Sequence, residues 1–108
     1  MEKRRRRSRR VNTFWRIGIV EVIGEAAVME LIAEECVEMA QAAQKIARAM
    51  RGDNPTEKPV EYYHGQLMEE WADVLVCSEY LDELPWFNPA EVAHNIRFKK
   101  QRTKERLN

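Results

Sequence analysis

Two clusters of acidic residues with matching spacing are the part of this sequence best suited to chemistry. They consist of Glu34, Glu35 and Glu38, and of Glu69, Glu70 and Asp73. In a helix, residues three or four positions apart share a face. The last two acids of each cluster would therefore project from one face, where their negative charges repel each other. A bound cation would reverse the sign of that interaction.

The apolar residues around each cluster predict the helices that would carry it. In both segments they recur at alternating intervals of four and three, which is the spacing of a seam between packed helices. The predicted seams are Ile32, Cys36, Met39, Ala43, Ile46 and Met50 in the first segment, and Leu67, Trp71, Val74, Ser78 and Leu81 in the second. The carboxylates lie to one side of each seam, so an antiparallel hairpin would bring both pairs to one edge. Trp71 is predicted to be a core residue.

Four carboxylates at one edge would form an oxygen-rich site for a hard divalent cation. Mg²⁺ prefers octahedral coordination by oxygen and is usually held together with substrate phosphates. We therefore predict a Mg²⁺ site, with Mn²⁺ as an alternative ion, whose ligands are Glu35, Glu38, Glu70 and Asp73. Two ions would neutralise the four acids, an arrangement that suits phosphoryl chemistry.

The order of these motifs, EExxE followed by a connection and ExxD, resembles the MazG-like, all-α nucleoside triphosphate pyrophosphohydrolases. The similarity covers residues 28 to 82, and more loosely the basic end after Asn95. The resemblance implies metal ligation by the four acids and hydrolysis of a nucleoside triphosphate to monophosphate and pyrophosphate, a nucleotide-pool house-cleaning activity. It also implies a helical hairpin or bundle completed by oligomerisation, as a homodimer or homotetramer. The connection of 31 residues between Glu38 and Glu70 is longer than is usual in that family.

Further roles follow from the resemblance and from charge. Glu34 and Glu69 match the extra acid that precedes each ligand pair, and each is a candidate to accept a proton from the attacking water. The candidate phosphate-binding residues are Lys45, Asn95, Lys99 and Arg102. The alternative for these four is an ordinary solvated surface.

The length of 108 residues bounds the chain to one domain with a modest core. We predict that residues 1–10 form a disordered basic arm. Residues 11–108 are predicted to form a single all-α domain of the MazG-like type. Helices are predicted at residues 12–23, 25–51, 60–84 and 90–107. A loop with two prolines joins the second to the third, and Thr56 within it is a candidate to close over a substrate.

Composition excludes several classes of protein. No uninterrupted apolar stretch is long enough to span a membrane, and the two cysteines have neither CxxC nor zinc-site spacing. We expect free thiols, hence a cytoplasmic protein. The net charge is zero, but it is unevenly distributed, with basic residues concentrated at both ends.

Two alternatives come from other functional classes. A non-catalytic helical interaction protein would use the arginines of residues 1–10 to bind nucleic-acid phosphates. A di-iron carboxylate bundle would use paired Glu-x-x-His motifs, which occur at Glu61 and His64 and again at Glu91 and His94. Both motifs begin beside prolines and lie outside the predicted seams, which favours the Mg²⁺ interpretation.

Overall fold

The computed structural model describes residues 18–52 and 57–108, and every regular element in these ranges is helical. The helices are α1 (Ile19–Ile23), α2 (Glu25–Arg51), α3 (Val60–Tyr80) and α4 (Pro89–Leu107), with a 3₁₀ turn (Leu81–Glu83) directly after α3. The all-α prediction is confirmed for this part of the chain. Residues 1–10 and Thr56 lie outside the described residues.

The helix boundaries follow local residue chemistry. Gly24 separates α1 from α2 with φ of 90°, and Gly52 ends α2 with φ of 68°, in the left-handed region that favours glycine. The side chain of Asn88 accepts hydrogen bonds from the backbone of Ala90 and Glu91 and so caps α4, with Pro89 at its first position.

Helices α2 and α3 pack along each other and form the body of the molecule. Because only residues 52–59 connect two helices of 27 and 21 residues, the two run antiparallel. This is the predicted hairpin.

The line of contact differs from the predicted seam. It passes through Val28 and Ala42, which are buried, whereas predicted seam residues Cys36 and Met50 are exposed. The prediction for Trp71 is also wrong, since 47% of this residue is exposed. The prediction agrees in part, because six of its eleven seam residues are partly buried: Ile32, Met39, Ile46, Leu67, Val74 and Leu81. The contact line differs in that it also includes two glutamates, Glu35 and Glu70.

Two hydrogen bonds hold α1 and the start of α2 against the segment that follows α3. A carboxylate oxygen of Glu83 accepts a hydrogen bond of 3.1 Å from the backbone N–H of Val20. The indole N–H of Trp86 donates to the carboxylate of Glu25 at the start of α2. Leu84, only 3% exposed, is buried at this junction. These contacts therefore fix the segment before α2 and the segment after α3 relative to each other.

The core formed by the described residues is small. Within residues 18–52 and 57–108, the buried hydrophobic residues are Val28, Ala42, Cys77 and Leu84. Many large apolar side chains remain exposed, among them Met68 and Leu75 on α3. The isolated hairpin thus leaves much of its apolar surface in contact with water.

Helix α4 does not pack extensively against α2 or α3. It carries six Lys and Arg residues against two acids, whereas the described residues before it carry fourteen acids against four. The described part of the chain is therefore acidic along its hairpin and basic along its last helix. No helix in residues 18–52 or 57–108 combines the length and the apolar character that a membrane span requires.

Candidate metal centre

The structure brings the four predicted ligands together. Each offers a carboxylate oxygen, and these oxygens all lie within 4.8 Å of one another; the residues are Glu35, Glu38, Glu70 and Asp73. Two come from α2 and two from α3, so the group forms only when the hairpin closes. Oxygen-only donors at this separation can hold a hard divalent cation.

The two inner glutamates lie on the contact line between the helices. Glu35 is seven residues from both Val28 and Ala42, and Glu70 is seven residues from Tyr63 and from the buried Cys77. A seven-residue interval returns to nearly the same side of a helix. Each inner glutamate thus takes a position that an apolar side chain would normally fill.

This placement leaves two carboxylate oxygens buried without a hydrogen-bond partner, namely Oε2 of Glu35 and Oε2 of Glu70. Buried polar atoms are normally paired, because an unpaired one loses its hydration without replacement. A cation between the helices would give both atoms a partner. The residues present therefore fit a metal cation.

The electrostatics of the two inner glutamates also favour a bound cation. Burial raises the pKa of both Glu35 and Glu70 above its ordinary value of 4.5, and a side-chain hydrogen bond with Glu38 together with the negative charges of Glu38 and Asp73 raises it further. No cation of the described chain opposes these effects on either pKa. The group is thus an excess of negative charge that lacks a counter-ion within residues 18–52 and 57–108.

The two outer members of the carboxylate group lie on its solvent-exposed side. Glu38 and Asp73 are exposed and lie about 60° around their helices from the inner glutamates. The candidate proton acceptors Glu34 and Glu69 are also exposed, and the charge of Glu34 contributes to the raised pKa of Glu35. The group therefore opens to solvent along one edge of the hairpin.

The predicted phosphate contacts are distributed differently. Lys45 is on the same side of α2 as Glu38, two turns or about 10 Å along the helix. Asn95, Lys99 and Arg102 share one side of α4, which does not pack along the hairpin. The structure does not bring these three residues to the carboxylates within one chain, and their role stays a prediction.

No family model, curated protein or solved structure matches this chain. The resemblance to MazG-like enzymes therefore depends on the motif residues and their order, and it stays a prediction.

The histidine-containing alternative receives no support from the same geometry. Within the described residues the carboxylate group contains no histidine. His64 and Glu61 are exposed on α3, and His94 and Glu91 are exposed on α4. The Glu-x-x-His motifs thus do not assemble into a site in this chain.

One neighbour of the site was missed by sequence reasoning. Cys77 is buried one turn beyond Asp73, and burial together with the charges of Glu35 and Asp73 raises the pKa of its thiol. Its interval of seven from Glu70 is the signal that would have placed it beside the carboxylates. A neutral thiol there supplies an apolar wall rather than a ligand.

Proposed function

We propose that this protein hydrolyses a nucleoside triphosphate to a nucleoside monophosphate and pyrophosphate, with Mg²⁺ or Mn²⁺ as cofactor. The observation that supports this most directly is the convergence of four carboxylates from two helices, with two buried oxygens lacking partners. Such a site suits cations that accompany phosphates. The MazG-like motif order adds the class of reaction.

In this proposal the inner pair, Glu35 and Glu70, holds the cofactor from the floor of the site, and Glu38 and Asp73 hold it from the open edge. A bound divalent ion polarises phosphoryl oxygens and lowers the pKa of bound water. The hairpin contributes rigidity, because the ligands project from helices rather than from loops.

In this proposal Glu34 or Glu69 accepts the proton of the attacking water. During hydrolysis a water oxygen bonds to the α-phosphorus while the bond from that phosphorus to the bridging oxygen breaks and pyrophosphate leaves. The proton lost by the water goes to Glu34 or Glu69, both exposed next to the ligand pairs. Their exposure suits exchange of that proton with solvent.

Positive side chains would offset the charge of the phosphates. Lys45, exposed on α2 seven residues after Glu38, would make such a contact in this proposal. The basic side of α4, with Asn95, Lys99 and Arg102, would serve the same purpose once it is close to a carboxylate group. A homodimer or homotetramer is the arrangement that we propose for bringing it there.

The test is pyrophosphate release from a panel of ribo- and deoxyribonucleoside triphosphates at fixed Mg²⁺. Replacing a residue that only supports a metal ligand typically lowers activity about 10- to 100-fold. Glu38→Gln and Asp73→Asn should each lower the rate by more than this, because they replace proposed ligands. Matched controls are Glu30→Gln on α2 and Glu79→Gln on α3, which are exposed carboxylates away from the group. Unchanged turnover in the two ligand variants would refute the assignment.

A second candidate is a non-catalytic interaction protein that binds nucleic acid. It is favoured by α4, a basic helix that stands apart from the hairpin and exposes Ile96 and Phe98. This candidate predicts no turnover with any triphosphate, and salt-sensitive binding to nucleic acid. Deleting residues 1–10 would then weaken that binding, while the catalytic proposal requires no such loss.

A further inference from the structure

A row of side chains on α3 continues the open edge of the carboxylate group toward the connection between α2 and α3. Asp73 and Glu69 lie at the carboxylate end of this row, and Gln66 and Tyr62 follow at intervals of three and four. At about 100° per residue, Tyr62 lies within about 20° of Asp73 around the helix. Tyr62 therefore projects to the same edge as the outer carboxylates, about 12 Å along the helix from Glu70.

The ring of Tyr62 is held in this row by two neighbours. Its hydroxyl oxygen accepts a hydrogen bond of 3.4 Å from Nε2 of Gln66, which is one turn nearer to the carboxylates. The ring of Tyr63 makes an edge-to-face contact with it, with the ring centroids 5.5 Å apart and 82° between the planes. Tyr63 is itself partly buried, seven residues before Glu70 on the contact line of the hairpin. The Tyr62 ring is thus fixed along the open edge.

One face of the Tyr62 ring already binds a cationic group. The ammonium of Lys58 lies over it, with Nζ 5.6 Å from the ring centroid. Lys58 is exposed and Tyr62 is 49% exposed, and a cation–π contact at an exposed site is weak. The lysine side chain is also flexible. A planar ligand can therefore take the place of the ammonium.

The substrate of the proposed reaction carries such a planar group. With its phosphates held at the carboxylates, a nucleotide that extends along the edge passes Gln66 and brings its base to Tyr62. The distance of about 12 Å along α3 is comparable with the extended length of a nucleoside beyond a metal-bound phosphate. Aromatic side chains stack on any base, because every base has a π face.

We propose that Tyr62 stacks on the nucleobase of the substrate and so makes the site selective for nucleoside triphosphates over polyphosphates that lack a base. This proposal rests on the proposed function and deepens it, since it names what the site recognises besides phosphate.

The experiment compares two probes by calorimetric titration at fixed Mg²⁺. One is an α,β-imido deoxynucleoside triphosphate, in which NH replaces the bridging oxygen of the bond that would be hydrolysed. The other is inorganic tripolyphosphate, which has no base. The wild type should bind the nucleotide more tightly than tripolyphosphate. Tyr62→Leu keeps the apolar bulk but removes the aromatic face, so the ratio of the two affinities should fall about 10-fold. Tyr62→Phe keeps that face and should retain most of the ratio.

Two matched controls lie on the same helix. Tyr80 is seven residues beyond Asp73, at the other end of the same edge, and exposed His64 is two residues after Tyr62, about 200° around the helix. Tyr80→Leu and His64→Leu should both leave the ratio at its wild-type value.

The base-stacking role is overturned if Tyr62→Leu leaves the ratio unchanged, or if Tyr80→Leu lowers the ratio instead. A wild type that binds both probes with equal affinity refutes this role alone and leaves the metal and phosphate part of the proposed function intact. A wild type that binds neither probe refutes both proposals.

Discussion

The cation dependence of folding stability gives a sharp test of the carboxylate group, and Glu70→Gln is the change that probes it best. Glutamine keeps the size of the side chain and its helix propensity but removes the charge. In the absence of divalent ions, the wild type contains four carboxylates with oxygens within 4.8 Å and two buried oxygens without partners. Removing one of these charges should therefore make the cation-free protein more stable.

With cation the wild type should gain more stability than the variant. An ion present at about 100 times its dissociation constant stabilises the fold that binds it by about 2.7 kcal/mol. For a domain of this size, that corresponds to an increase in Tm of about 10–20 °C. If losing one of four ligands weakens binding about tenfold, the variant retains about 1.4 kcal/mol less of this stabilisation. Added cation should thus raise the Tm of the wild type by more than that of Glu70→Gln.

The assay is thermal unfolding followed by circular dichroism, with chelator and then with increasing Mg²⁺ or Mn²⁺. Glu79→Gln, an exposed carboxylate on the same helix, is the control and should follow the wild type throughout. A wild-type Tm that does not respond to either ion would refute the interpretation of the group as a metal site. So would an equal response in Glu70→Gln.

Two other predictions follow from burial and charge. Because the pKa of Glu35 is raised, the folded protein binds its proton more tightly than the unfolded chain does, so cation-free stability should fall as pH rises from the ordinary value of 4.5 through the raised pKa. Urea unfolding across this range should show a smaller fall for Glu35→Gln, and an identical fall would contradict the burial of that carboxylate. Val28→Ala should cost about 2 kcal/mol, since the side chain is fully buried and loses two methyl groups. Denaturant midpoints should show this loss, whereas Val37→Ala, at a position that is 55% exposed, should change stability by less than about 0.5 kcal/mol.

The helices were predictable because local residue chemistry determines where they end. Gly24, Gly52 and the Asn88-Pro89 pair each impose a backbone conformation or supply a cap that depends only on near neighbours. The predicted helix over residues 25–51 agrees with α2 at both ends. The convergence of the acids was predictable for a related reason, since matched spacing on two antiparallel helices fixes a common edge.

The contact line was not predictable by the same approach. Two rows of apolar residues, each at intervals of four and three, run along α2, one through Val28 and Ala42 and the other through Cys36 and Met50. Periodicity identifies both rows as packing surfaces but cannot assign one of them to α3. Only the folded hairpin shows that the row containing Glu35 faces inward. The location of α4 was equally hidden, because a basic helix carries no local signal for what it packs against.

Glutamates at seam positions also bear on the register of the hairpin. Intervals of seven on both helices mean that sliding α3 by two turns along α2 would put similar apolar side chains opposite each other again. In such a slipped pairing Glu35 and Glu70 would no longer face each other, and no single ion could satisfy both. Buried polar groups are known to select one alignment among several apolar ones, at a cost in stability. The acids at the centre of this hairpin therefore distinguish one alignment of its helices from its near equivalents.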